Sequence, residues 1–202
     1  MVKKILIEGL DYAGKSTLCK NLVNGFSNEG FEAKYNKGNV IKNCLDDYTR
    51  KELYSENSDL IRLNALLTIG PLVDSLAENN LSGIDFLVQE SYIDRTIGYN
   101  KAHVIPYFSE LLEELYDKLL QFDISFFLDA DIDERRKRYE RRKDERNKYD
   151  DMIFKDPDKF LEMNEKIKKL TLRRPNSYLI DTSNSTPAED YMKALEIIRG
   201  IF

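Results

Sequence analysis

Cysteine and histidine are almost missing from this chain: Cys19, Cys44 and His103 are the whole complement. So few thiols cannot form a disulfide framework, and they lack metal-ligand spacing, so zinc is not expected and both are read as reduced small residues. His103 stands before the apolar helical pattern VIPYFSELLEELYDKLL and is read as structural. Also missing is any apolar run near the roughly 20 residues that cross a bilayer, and there is no Pro/Gly linker, repeat or low-complexity tract. The chain opens directly into a strand pattern, so a cytoplasmic protein with no membrane partner is expected. A basic excess is absent as well. The net charge is -5, which argues against gripping nucleic acid. Charged residues make up 33% and apolar ones 42%, as in a globular chain rather than a disordered one. At 202 residues, one domain spanning 1–202 around one large core is expected.

What is present is alternation. Apolar runs at Ile5–Ile7, Phe86–Val88, Ser125–Leu128 and Tyr178–Ile180 read as buried strands, with a less apolar fifth at Ala33–Asn36. Long helical patterns separate them. This implies an α/β fold with a five-stranded parallel sheet flanked by helices on both faces. Ligands of such sheets bind beyond the carboxyl ends of the strands. The residues to inspect are therefore Gly9–Thr17, Asn36–Asn39, Gln89–Arg95, Asp129–Asp131 and Asp181–Ser183.

The first of these holds Gly9-Leu10-Asp11-Tyr12-Ala13-Gly14-Lys15-Ser16, a Gly-x-x-x-x-Gly-Lys-Ser pattern between a strand and a helix. In that setting the glycines let the backbone turn its N–H groups onto phosphate oxygens at the positive end of the helix. Lys15 adds a full charge, and Ser16 offers a hydroxyl to magnesium. A regulatory GTPase is the main rival, since Asn147-Lys148-Tyr149-Asp150 fits a guanine-reading pattern. Here, however, that motif follows Arg-Arg-Lys-Asp-Glu-Arg, which no strand would bury, and no Asp-x-x-Gly follows Phe86–Val88.

Glu90 ends the third strand as a carboxylate at the sheet edge, suited to hold magnesium through water or to cap the next helix. The block from Ile132 to Asp151 is the segment suited to move as a unit, and it places Arg138, Arg142 and Arg146 four apart, on one helical face. Its alternative is a solvated helix laced with ion pairs.

With Glu8 and Asp11 included, IEGLDYAGKST resembles the phosphate loop of thymidylate kinases. DISFFLDADIDERRKR is similar to that family's fourth strand and basic helix, SYLIDTSNSTPAED to its last strand and adenine-side loop, and TIGYN to its segment ending Ala-Tyr-Gln. The resemblance implies a P-loop kinase with a helical, arginine-rich lid near 132–151, using ATP and Mg2+ to phosphorylate a nucleoside monophosphate. It implies ATP contacts from Gly9, Tyr12, Ala13, Gly14, Lys15, Ser16, Thr17, Arg138 and Ser183, and magnesium held by Ser16 and Glu90. Asp11 would take the acceptor sugar hydroxyl. Some family members carry arginine where Tyr12 stands, so the missing charge is assigned to Arg146 first and Arg142 second.

Three acceptor-side signatures depart from the family. YNKGNVIKN replaces Arg-Glu-Pro, RLNALLTIGPLVDS lacks the expected Phe and Asp-Arg, and Glu90-Ser91-Tyr92 replaces Asp-Arg-Tyr. With a helix starting near Ser91, Arg95 would lie one turn on and could replace the absent arginine, its alternative being a surface ion pair with Asp94 or a nearby acid. Lys37 and Arg62 are the substitutes in reserve. Tyr92, Tyr99 and Asn100 complete the acceptor candidates, and the catalytic set is Lys15, Arg142, Arg146 and Arg95. The acceptor is expected to be a small molecule, with a nucleoside or other metabolite as the alternative to a nucleotide. A noncatalytic nucleotide-binding protein and a homodimer are left open.

Overall fold

The computed structural model describes residues 2–41, 44–55, 59–76, 81–102, 106–142 and 152–202. In chain order the elements are β1 (Lys3–Glu8), α1 (Lys15–Asn28), β2 (Ala33–Lys37), α2 (Cys44–Tyr54), α3 (Leu60–Leu76), β3 (Phe86–Glu90), α4 (Ile93–Ala102) and α5 (Pro106–Glu114). They continue with β4 (Ile124–Asp129), α6 (Ile132–Arg141), α7 (Met152–Lys155), α8 (Pro157–Leu172), β5 (Ser177–Asp181) and α9 (Pro187–Ile201). The strands form one parallel sheet in the order β2-β3-β1-β4-β5, so all five predicted strands pair as expected.

Successive strand residues point to opposite faces, and both faces are covered. On one side Ile5, Ile7, Phe86, Val88, Phe126 and Leu128 pack against Leu18, Leu22 and Phe26 of α1 and Leu195 and Ile198 of α9. On the other, Leu6 and Leu87 meet Ile93 and Ile97 of α4 and Leu112 of α5. Phe127 meets Phe160 and Ile167 of α8. Leu112 of α5 and Leu119 just beyond it are buried, Leu115 partly so, whereas Leu111 is exposed.

Helix starts follow local chemistry. Asp131 accepts from the Glu134 N–H to cap α6. Thr186 and Glu189 form a reciprocal capping box ahead of Pro187 in α9. The chain leaves β1 for β2 and β3 on one side and crosses to β4 and β5 on the other, so the end of β1 lies where strand order reverses. That is where ligands of open parallel sheets bind.

Two helix expectations are corrected. α4 begins at Ile93, because Ser91 takes a left-handed φ of 57° that cannot continue into a helix, so Arg95 is not one helical turn from Ser91. α6 ends at Arg141, with Arg142 at its C-cap (φ -93°, ψ 53°), so Arg138 and Arg142 share no continuous helical face. Arg146, the guanine-reading tetrad 147–150, the rest of the expected lid and His103 lie outside the described residues, as does the side chain of Asn100.

Candidate active site

The loop from Gly9 to Gly14 turns through positive φ three times: Gly9 at 140°, Tyr12 at 64° and Gly14 at 96°. Gly9 is required twice over, since a Cβ there would sit 2.4 Å from the Leu128 carbonyl oxygen. Tyr12 holds a conformation that costs an aromatic residue on the order of 1–3 kcal/mol, so its neighbours must enforce it. They do so through the loop's carbonyls. Leu10 O accepts from Lys15 Nζ at 2.9 Å, Asp11 O from Arg135 Nη1 at 2.7 Å, Tyr12 O from Arg138 Nη1 at 3.0 Å and Ala13 O from Thr182 Oγ1 at 3.0 Å.

These bonds occupy the carbonyls of Leu10 to Ala13, while the Ala13 N–H turns back to Leu10 O and the Gly9 N–H to Glu8. Gly14 is the N-cap of α1 and no side chain caps that helix, whose first two N–H groups, of Lys15 and Ser16, have no intrahelical acceptor. An anion there would meet oriented amides and the positive end of the helix. Lys15 is 5% exposed and 3.9 Å from Asp11 Oδ1. Burial and the facing Arg95 bring its pKa down to about 8 despite the pull of Asp11, Glu90 and Glu8.

Beside the loop stands a cluster of charges. Arg95 Nη2 donates to both Asp11 oxygens, at 2.9 and 2.7 Å. Partial burial acts to raise the Asp11 carboxyl, but Arg95 and Lys15 outweigh it and hold it well below the usual carboxylate range. Asp94 is excluded as a partner for Arg95, because it is fully buried and bound by Arg174 and the Tyr116 hydroxyl, so the acid that Arg95 pairs with is Asp11.

At the end of β3, Glu90 takes an ion pair from Lys37 at 2.8 Å and a hydrogen bond from the Tyr35 hydroxyl, which also lies beside Ser16. Burial acts to raise Glu90, yet Lys15 and Lys37 keep it lowered and so ready to bind a cation. Ser16 and Glu90 thus flank one phenol that is hydrogen-bonded to Glu90, an oxygen donor set that fits a hard divalent ion carried in by nucleotide phosphates. Among the described residues no group of three or more His, Cys, Asp or Glu could form an all-protein cage.

The remaining candidates divide. Arg138 bridges Tyr12 O to Thr182 beside β5, and Ser183 accepts from the Asp131 N–H while donating to Asp181. Arg142 lies with its guanidinium carbon 5.9 Å from the Tyr12 ring, whose edge meets Tyr139. Thr17 closes the first turn of α1 by bonding back to Gly14 O. Two acceptor candidates are not brought to the loop. Tyr92 is a core residue, 7% exposed, packed edge-on to Phe122 because it precedes the apolar side of α4. Arg62 is exposed and paired with Glu52 of α2. Tyr99 stays half-buried on α4.

Three participants had no marker in the sequence reading. Arg135 is 1% exposed and binds Ala130 O, Asp11 O, Asp129 and Asn164. Its spacing of three from Arg138 is a helical one-face signal, hidden inside a run of charge. Tyr35 and the Asp94–Arg174 pair depend on cross-strand register and a contact 80 residues long, which no local pattern reports.

The fold superposes on thymidylate kinase from Candida albicans with a TM-score of 0.75 at 20% identity, covering 98% of this chain and 92% of that one. It also superposes on thymidylate kinase from Ehrlichia chaffeensis with a TM-score of 0.70 at 15% identity, covering 98% of each chain. No curated protein matches the sequence. The Thymidylate kinase family model matches residues 7–192, from the strand before the phosphate loop into α9. With the loop, its lysine and its flanking carboxylates in place across that span, the chain belongs to the thymidylate kinase family, nucleotide phosphotransferases that phosphorylate a nucleoside monophosphate with ATP.

Proposed function

We propose that this chain transfers the γ-phosphoryl group of ATP to a nucleoside monophosphate, with Arg95 serving the acceptor phosphate and Asp11 the acceptor sugar. The observation that carries this is the convergence of the amide-lined loop, Lys15 and the Arg95–Asp11 pair at one strand edge. Phosphoryl transfer asks little covalent chemistry of the protein; it asks for two anionic groups held together and their charge neutralised. The loop amides and Lys15 hold the donor. Ser16 and Glu90, with Tyr35 beside them, would hold magnesium, which when bound neutralises charge on the donor phosphates.

Arg95 favours a monophosphate over a nucleoside. One of its nitrogens, Nη2, is committed to Asp11, and among the described residues its Nη1 and Nε donate to nothing, leaving a half-exposed fork suited to phosphate. A nucleoside would satisfy Asp11 and leave that fork without an anion. The altered acceptor signatures, and the broad substrate specificity named for the Candida albicans enzyme, make a panel the right assay.

ADP release from MgATP is measured across nucleosides, nucleoside monophosphates and unrelated small metabolites. Release with one or more monophosphates, at higher kcat/KM than with the matching nucleoside, is expected. Nucleotide binding without acceptor-dependent ADP release would overturn the assignment. Arg95→Lys and Arg95→Ala should both lower acceptor kcat/KM while MgATP binding is retained; unchanged kinetics would remove Arg95 from the site and leave Lys37 as the acceptor cation. The lid arginines are separated in the same way: Arg146→Ala is expected to lower kcat more than MgATP affinity, and more than Arg142→Ala does.

A further inference from the structure

Glu8 ends β1 with no exposed surface, on the face of the sheet that Leu6 presents to α4. Each of its oxygens accepts one backbone N–H: Oε1 from Gly9 at 3.2 Å and Oε2 from Tyr92 at 2.8 Å. Gly9 opens the donor loop, and Tyr92 stands immediately before α4, which carries Arg95. One side chain therefore joins the first amide of the donor loop to the start of the acceptor helix. Only a carboxylate serves both amides with both oxygens; an amide side chain has a single acceptor and would turn its NH2 against the second donor.

The charge is costly where it stands. Burial and the like charge of Asp94 push Glu8 up to about 7, against the pull of Lys15, the Tyr92 N–H and Arg95. Arg174, on the far side of Asp94, also feels it. Leu6, two residues earlier on the same face, shows that the position borders an apolar core. A buried anion is poor evidence for stability, because desolvation offsets much of the attraction it makes.

We propose that Glu8 is a positioning residue, a strut between the phosphate loop and α4 that keeps Arg95 and Lys15 at the separation phosphoryl transfer requires. The proposal rests on Arg95 serving the acceptor phosphate. Glu8 touches neither substrate. Donor binding needs the loop alone, whereas transfer needs loop and α4 in register, so loss of the strut falls on turnover.

The test compares wild type with Glu8→Gln by MgATP calorimetry, by kinetics with dTMP from about pH 5.5 to about 9, and by amide hydrogen exchange at Tyr92. For Glu8→Gln, kcat should fall by about 10²-fold, the cost of misplacing reacting groups by an ångström. MgATP affinity should hold within about threefold, as for a group outside donor binding. Tyr92 should exchange about tenfold faster, one lost hydrogen bond's worth. Wild-type kcat should also drop as pH falls through the neutral range and Glu8 takes a proton. The second ionisation of dTMP, near pKa ~6, affects both proteins alike, so an inflection seen only in wild type belongs to Glu8.

Unchanged kcat, or equal losses in kcat and MgATP affinity, would overturn the proposal. So would Tyr92 exchange that does not change. Glu8→Asp keeps both acceptors but shortens the reach, and it should show the same split if Glu8→Gln does not fold. Failure of the functional reading has its own signature: no monophosphate-dependent ADP release from wild type, with Tyr92 exchange still accelerated in Glu8→Gln. That result overturns Arg95's role and leaves the strut supported.

Discussion

Arg174→Met should be among the most destabilising single changes in this chain. Arg174 is 4% exposed in the turn between α8 and β5, and it donates to Asp94 Oδ2 from Nε at 3.1 Å and Nη2 at 3.0 Å. Its guanidinium carbon also lies 4.6 Å from the Tyr116 ring and 5.6 Å from that of Phe122. Methionine keeps much of the stem packing and removes the charge. Asp94, with no exposed surface, would then keep, among the described residues, only the Tyr116 hydroxyl as hydrogen-bond partner and would still face Glu8. Breaking a buried pair from one side costs about 3–5 kcal/mol, because a lone charge is left in low dielectric. For a chain of this size, each kcal/mol lowers Tm by roughly 2–4 °C, so a fall of about 6–20 °C is expected. Urea unfolding measures the loss directly, with an unchanged slope confirming that stability and not compactness has moved. Asp94→Asn added to Arg174→Met should recover much of the loss, because the stranded charge goes with it. A single-mutant loss below about 1 kcal/mol, or two losses that add within about 0.5 kcal/mol, would refute the argument.

Gly9→Ala should lose MgATP binding by more than about tenfold and destabilise the fold by about 2–4 kcal/mol, since it combines a positive-φ penalty with overpacking; Gly30→Ala, at φ 90° with open space around it, is the control, expected to cost only about 1 kcal/mol. Tyr35→Phe removes the hydroxyl that donates to Glu90, so the magnesium concentration for half-maximal activity should rise by about tenfold, while metal-free ATP binding in calorimetry stays unchanged. Lys15 has a pKa brought down to about 8, so in a ligand-free protein it loses its charge as pH rises through that value. The initial affinity for metal-free ATP should therefore weaken as pH rises through 8 in wild type but not in Lys15→Ala, and a flat wild-type profile would contradict the assigned burial. Glu8 moves stability the other way from most carboxylates. Its folded pKa, about 7, is raised above the ordinary value of 4.5, so its contribution is most favourable below pH 4.5 and is lost as pH climbs to 7; Glu8→Gln should flatten that part of the urea-stability profile.

The strands and the phosphate loop could be read locally, because both are written in contiguous residues. A run such as Ile5-Leu6-Ile7 fits a doubly covered strand and little else, and Gly9 to Ser16 needs only its own glycines and a following helix to take its shape. The donor side of the site was legible for the same reason. What the tertiary structure decided was which charges meet. Arg95 reaches Asp11 and Tyr92 reaches Glu8 across 84 residues each, and Arg174 reaches Asp94 across 80. Ser91 illustrates why such contacts stay hidden: its left-handed φ delays α4 to Ile93 and turns Arg95 toward the loop instead of along a face shared with Ser91. Tyr35, Lys37 and Glu90 come together because β2 and β3 pair with Lys37 opposite Glu90. Register between parallel strands is set by how both faces of the whole sheet are covered, and no window of local sequence carries that information.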